Sequence, residues 1–125
     1  MSHSNDRRGR LVPAIRTRWA ASIGELSRRE AALWTLALAT FWLDIGVTTV
    51  GLDRGLVESN PIAVASMAAI GPVAGLVALK GGSLAVGVGG WLALPARSQW
   101  IVPALLSVPW GGAVCLNVAR LVGLL

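Results

Sequence analysis

The sequence contains few charged residues and long apolar runs. Only 14% of its 125 residues are charged, whereas soluble domains carry about a quarter. Hydrophobic residues make up 54% of the chain, and they stand in runs instead of a single amphipathic stripe. This combination excludes an ordinary soluble domain and indicates one integral membrane domain.

Residues that support metal binding or nucleophilic catalysis are also scarce. The single cysteine, Cys115, excludes an internal disulfide and lies in an apolar run. The single histidine, His3, stands in the polar start of the chain, which excludes a histidine-based metal site or catalytic triad. No nucleotide-binding loop or HExxH motif is present. The sequence therefore predicts neither a metal nor a cofactor.

Positive charge is concentrated at the N-terminus. Seven of the eleven cationic residues precede position 31, namely Arg7, Arg8, Arg10, Arg16, Arg18, Arg28 and Arg29. An arginine block beside a membrane span indicates topology and contact with anionic lipid head groups, and it does not predict nucleic-acid binding. We expect residues 1–10 to be a disordered basic tail. Residues 11–30 are predicted to form an amphipathic helix on the lipid surface, with a helix packed on a protein partner as the alternative.

Three apolar stretches are long enough to cross a membrane, at residues 31–52, 72–94 and 100–123. A helix of this length rises about 33 Å, and the hydrocarbon core is about 30 Å thick. Between the first two, Asn60-Pro61 begins a short helix that Gly71-Pro72 ends. The predicted fold is an all-α integral membrane protein with three transmembrane helices over residues 31–125, an N-terminal amphipathic helix and this short helix.

The charge distribution also predicts an orientation. The arginine block and Arg97 fall on one side of the membrane, and Trp34, Trp91 and Trp100 lie near that side. Positive residues favour the cytoplasm, and tryptophans favour the interface. We therefore expect a cytoplasmic N-terminus and an external C-terminus.

Polar residues of the three spans fall at one depth. At about 1.5 Å per residue, Asp44 and Lys80 lie about 12 Å from the outer ends of their spans, and Asn117 about 9 Å. A charge at this depth needs a partner, so we expect Asp44 to pair with Lys80 and Asn117 to bridge them. The candidates for a polar or ligand site are Asp44, Thr48, Glu58, Asn60, Lys80, Asn117 and Arg120. Arg120 is expected to extend towards the interface or to pair with Glu58. The alternative is that these residues only hold the helices together.

The second span is rich in glycine. Small residues at helical spacing allow helices to approach closely in lipid. The helix-packing candidates are Gly71, Gly75, Gly82 and Gly87, with a pore or ligand groove as the alternative use.

A family resemblance rests on the same residues. Asp44-x3-Thr48, Glu58-x-Asn60-Pro61 and the later Lys80 resemble the pattern of a small prokaryotic family of three-span membrane proteins known only as a domain of unknown function. The resemblance covers about residues 33–122. It implies a prokaryotic plasma membrane and implies that these six residues are motif positions, without implying an activity.

Three functions are open at this point. The first is a non-enzymatic accessory or assembly subunit that packs through the glycine-rich helix, in a homo-oligomer or a larger membrane complex. The second is an ion, proton or small-solute transport component that uses the outward-facing polar site. The third is an intramembrane enzyme acting on lipid, with Asp44 or Glu58 as general base and Lys80 or Arg120 holding an anionic head group. We expect the first, without a catalytic residue.

Overall fold

The computed structural model describes the backbone of residues 5–125 and the side chains from Leu11 onward. Every regular element in this part of the chain is helical, which confirms the predicted all-α fold. A 3₁₀ turn lies at Ala96–Ser98. The α-helices are α1 (Asn5–Gly24), α2 (Arg28–Asp53), α3 (Pro61–Ile70), α4 (Pro72–Ala93) and α5 (Ile101–Leu121).

Three helices are long and apolar enough to cross a membrane. These are α2, α4 and α5, of 26, 22 and 21 residues. At about 1.5 Å per residue each extends at least about 30 Å, the thickness of a hydrocarbon core. Their bounds differ by no more than three residues from the predicted spans. The short α3 is apolar but too short to cross.

Local capping sets where the helices begin and end. Ser27 Oγ accepts a hydrogen bond from the Glu30 amide at 3.1 Å, so α2 begins three residues before the predicted span. The Asn60 side chain caps α3 in the same way, and Pro61 occupies its first position. Gly71, with φ of 94°, ends α3 in a backbone conformation that other residues rarely adopt. Pro72 then begins α4.

The N-terminal helix differs from its predicted limits. We predicted disorder over residues 1–10, but α1 begins at Asn5, and Met1–Ser4 lie outside the described residues. An acidic residue type such as Asp6 is favourable in the first turn of a helix, which agrees with a helix that begins at Asn5. α1 also ends earlier than predicted, at Gly24, because the Ser27 cap assigns Arg28–Glu30 to α2.

The most extensive packing in the bundle is within two helix pairs. α2 packs along α5, where Phe41 and Trp110 meet edge to face with ring centroids 5.3 Å apart. α3 packs back against α4, and Ala63 and Leu76 join Phe41 in the buried core. The C-terminal ends of α2 and α5 and the N-terminal half of α4 meet with α3 at one end of the bundle, which we call the α3 end.

Candidate functional site

A cavity of about 290 Å³ opens between α2, α3, α4 and α5 at the α3 end. Polar and apolar side chains both line it, although the helices that form it are strongly apolar. Its lining includes every polar site residue predicted from the sequence: Asp44, Thr48, Glu58, Asn60, Lys80, Asn117 and Arg120. Residues up to 76 positions apart in the chain thus meet around one space.

An ion pair between Asp44 and Lys80 forms the buried part of the cavity wall. Lys80 Nζ donates to Asp44 Oδ2, joining α4 to α2. The Asp44 side chain is 3% exposed and the Lys80 side chain 15% exposed. The carboxylate is therefore sealed, whereas part of the lysine faces the cavity. The structure shows this pair where the depth argument placed it.

Thr48 links the ion pair to α5. Its hydroxyl lies one helical turn beyond Asp44 and donates to Asp44 Oδ1 at 3.2 Å. Asn117 Nδ2 in turn donates to the Thr48 oxygen at 3.0 Å. We expected Asn117 to bridge Asp44 and Lys80, but it reaches Asp44 only through Thr48. Both Asp44 oxygens are thereby bonded, and no buried polar side-chain atom among the described residues lacks a partner.

The α2–α3 loop supplies the exposed part of the cavity. Glu58 Oε1 accepts from the Asn60 amide at 2.8 Å, and Asn60 Oδ1 accepts from the Ile62 amide at 3.1 Å. Glu58 and Asn60 thus fix the turn that begins α3. The possible pairing of Glu58 with Arg120 does not occur, since no ion pair joins them. Arg120 is exposed on the cavity wall.

The four candidate packing glycines have different surroundings. A Cβ at Gly75 would lie 2.6 Å from backbone atoms of Ser66 and Met67, so α3 approaches α4 directly over this residue. A Cβ at Gly87 would meet the Leu106 side chain at 2.8 Å. Gly82 faces open space, and Gly71 serves as the junction between α3 and α4. Close packing within the chain thus uses Gly75 and Gly87.

Sequence reasoning missed a second polar cluster at the opposite end of the bundle. Glu30, only 6% exposed, accepts a hydrogen bond from Trp91 Nε1 at 2.6 Å. Gln99 Nε2 donates to the Trp91 carbonyl at 2.9 Å, and Trp19 of α1 meets Trp91 edge to face at 5.9 Å. The Ser27-x-x-Glu30 pattern was an available signal for the helix start. No sequence signal indicated the contact between Glu30 and Trp91, and we had assigned Trp91 to the lipid interface.

No group of three or more His, Cys, Asp or Glu side chains comes together within the described residues. Comparison with protein-family models, with curated proteins and with solved structures gives no match to the chain. The cavity and the uncovered surfaces of the helices are therefore the features that indicate a function.

Proposed function

We propose that the protein is a multi-pass membrane protein that admits a small polar solute into the cavity at its α3 end, as a component of solute handling or transport. The observation that carries this proposal is the open cavity beside the Asp44–Lys80 pair. A pair that served only to hold helices together would be best sealed by side chains, because water weakens its attraction. Here the lysine borders a space large enough for several water molecules, at about 30 Å³ each.

The proposed setting is a prokaryotic plasma membrane with the α3 end outside. The arginine-rich N-terminus and Arg97 support a cytoplasmic position for the other end. The apolar stripe of α1 supports contact with anionic lipid, because Leu11, Ile15 and Ile23 are at least half exposed while Arg16 and Arg18 lie on the same helix.

The proposal is tested by thiol labelling at two positions on α5. Ala113 lines the cavity, whereas Cys115 does not line it and is exposed on the helix surface. We expect a small charged methanethiosulfonate, added outside intact cells, to label the variant Cys115→Ala/Ala113→Cys rapidly. The native chain, with Cys115 alone, should remain unlabelled, because charged reagents and thiolate chemistry both need water.

Each other outcome of the labelling has a definite meaning. Equal labelling of both chains, or no labelling of the Ala113→Cys variant from either side of the membrane, would contradict a polar cavity. Labelling only from the cytoplasmic side of inverted vesicles would keep the cavity but overturn the orientation.

A second candidate, an accessory subunit, is favoured by the uncovered surface of α4. Only 11% of its apolar window is buried, compared with 33% for α2. Ala78, Gly82, Ala85 and Gly89 follow one another at helical spacing and are exposed. Small residues in this pattern support close helix association in lipid.

We expect that association, if it is the function, yields a homo-oligomer or a larger complex after purification in mild detergent. Gly82→Leu should then dissociate it, because a large side chain blocks close approach. Light scattering of the purified protein measures this. A strict monomer with no co-purifying protein would remove the accessory role and leave the cavity proposal intact.

A further inference from the structure

The cavity contains two opposite charges that are not paired with each other. Glu58 and Arg120 both line it, one from the α2–α3 loop and one from the end of α5, and no ion pair joins them. Glu58 uses Oε1 to accept from the Asn60 amide, and Oε2 accepts no hydrogen bond from a described residue. The Arg120 side chain makes no hydrogen bond or ion pair with any described residue, so its donors are available to a ligand.

The remaining charges of the lining cancel. Asp44 and Lys80 neutralise each other, and both Asp44 oxygens are already bonded. The net charge of the four charged groups is therefore zero, and Glu58 and Arg120 remain as an acid and a base that are not paired. In an apolar bundle a ligand with a net charge would add an uncompensated charge, which is costly. A ligand that carries one charge of each sign would satisfy both groups at no net charge.

We propose that the cavity binds a small zwitterion, with its anionic group on Arg120 and its ammonium group on Glu58. This inference rests on the proposed function and names its ligand class. Lys80 supports the anionic end, because it uses one donor on Asp44 and is partly exposed to the cavity. The volume of about 290 Å³ lies just below the range of ligand pockets, which run from about 300 to 1,000 Å³, so the ligand must be small.

Two kinds of molecule carry an anionic group and an ammonium group together, namely a free solute and the head group of a zwitterionic lipid. They are distinguished by preparing the full chain in two kinds of nanodisc. One contains only phosphatidylglycerol, which has no ammonium group, and the other contains added phosphatidylethanolamine. Radiolabelled β-alanine is the free probe, and binding is measured by equilibrium dialysis.

Two competitors each carry half of the probe. Propionate has the carboxylate alone and propylamine the ammonium alone, on the same three-carbon frame as β-alanine. We expect β-alanine to bind in phosphatidylglycerol discs and each half-probe to compete at least roughly tenfold more weakly, since a charged hydrogen bond is lost. Glu58→Gln and Arg120→Gln should each weaken binding by about the same factor. Arg97→Gln, in the exposed turn at the opposite end, is the matched control and should leave binding unchanged.

The outcomes separate this inference from the proposed function. Retention of phosphatidylethanolamine that depends on Glu58 and Arg120, without β-alanine binding, would assign the site to a lipid head group and support the zwitterion. Propionate competing as well as β-alanine, with Glu58→Gln unaffected, would overturn the zwitterion in favour of a simple anion. Absence of both kinds of binding would also overturn it. None of these results alters the thiol labelling at Ala113, which tests the cavity itself. Circular dichroism of each variant verifies that it remains helical.

Discussion

Replacing Lys80 with methionine is expected to lower the free energy of unfolding by about 3–5 kcal/mol, the usual cost of removing one partner of a buried ion pair. Methionine has a similar length and fills the same space, so little packing is lost. The cost arises because Asp44, only 3% exposed, stays buried after its counter-charge is removed. Reversible unfolding in mixed micelles, followed by tryptophan fluorescence, measures the change.

The reverse substitution should be less damaging. Asp44→Asn leaves Lys80 without a counter-charge, but the lysine side chain is 15% exposed and borders the cavity, where water can solvate it. The new amide also retains an oxygen that accepts from Thr48 or Lys80. We expect Asp44→Asn to cost less than Lys80→Met, and the double variant to cost less than the sum of the two. A larger loss for Asp44→Asn would contradict the assignment of Lys80 to the wet side of the pair. An additive double variant would contradict the pairing of Asp44 with Lys80. Arg97→Gln provides the control for loss of a cation from an exposed turn.

The positions of the spans and the depth of the ion pair could be predicted because both follow from counting residues. A helix rises by a fixed amount per residue, so Asp44 and Lys80 are placed at one level once the span ends are known. The rotation of each helix about its own axis is set by packing, so it cannot be obtained by counting residues. For that reason Thr48, and not Lys80, turned out to be the contact of Asn117. The same freedom explains why Glu58 and Arg120 share a cavity without pairing.

Contacts that depend on how a short segment folds back could not be predicted from the sequence either. We assigned Gly75 to packing between helices without naming its partner, and that partner is α3, which the Gly71 turn directs against α4. The Glu30–Trp91 hydrogen bond likewise requires the ends of α2 and α4 to meet, which residue types alone do not specify. Local signals such as the caps at Ser27 and Asn60 therefore predict where helices begin, while the pairing of helices decides which polar residues meet.

The approach of α3 over Gly75 leads to the second large effect. In Gly75→Ala the new Cβ would lie 2.6 Å from Met67 N and the Ser66 carbonyl carbon, and both are backbone atoms that cannot rotate away. α3 must therefore move. Overpacking typically costs about 1–3 kcal/mol, and we expect a loss at the upper end of that range because no side chain can yield.

Two other glycines provide a graded control for Gly75→Ala. At Gly87 the new Cβ would meet the flexible Leu106 side chain at 2.8 Å, so Gly87→Ala should cost less. At Gly46 nothing lies within 4 Å, and Gly46→Ala should be neutral or slightly stabilising, since alanine is favoured over glycine in helices by about 1 kcal/mol. The expected order of loss is Gly75, then Gly87, then Gly46, measured by the same unfolding experiment. Equal losses at Gly75 and Gly46 would contradict the close approach of α3.

Displacement of α3 should also alter the cavity. Asn60 and Ala63, at the start of α3, line it together with Leu76 of α4, which directly follows Gly75. Gly75→Ala placed in the Ala113→Cys background should therefore change the rate of thiol labelling, whereas Gly46→Ala in the same background should not. An unchanged rate despite a large loss of stability would mean that α3 supports the fold without controlling access to the cavity. A changed rate would show that packing at Gly75 controls how readily the reagent reaches the cavity beside the Asp44–Lys80 pair.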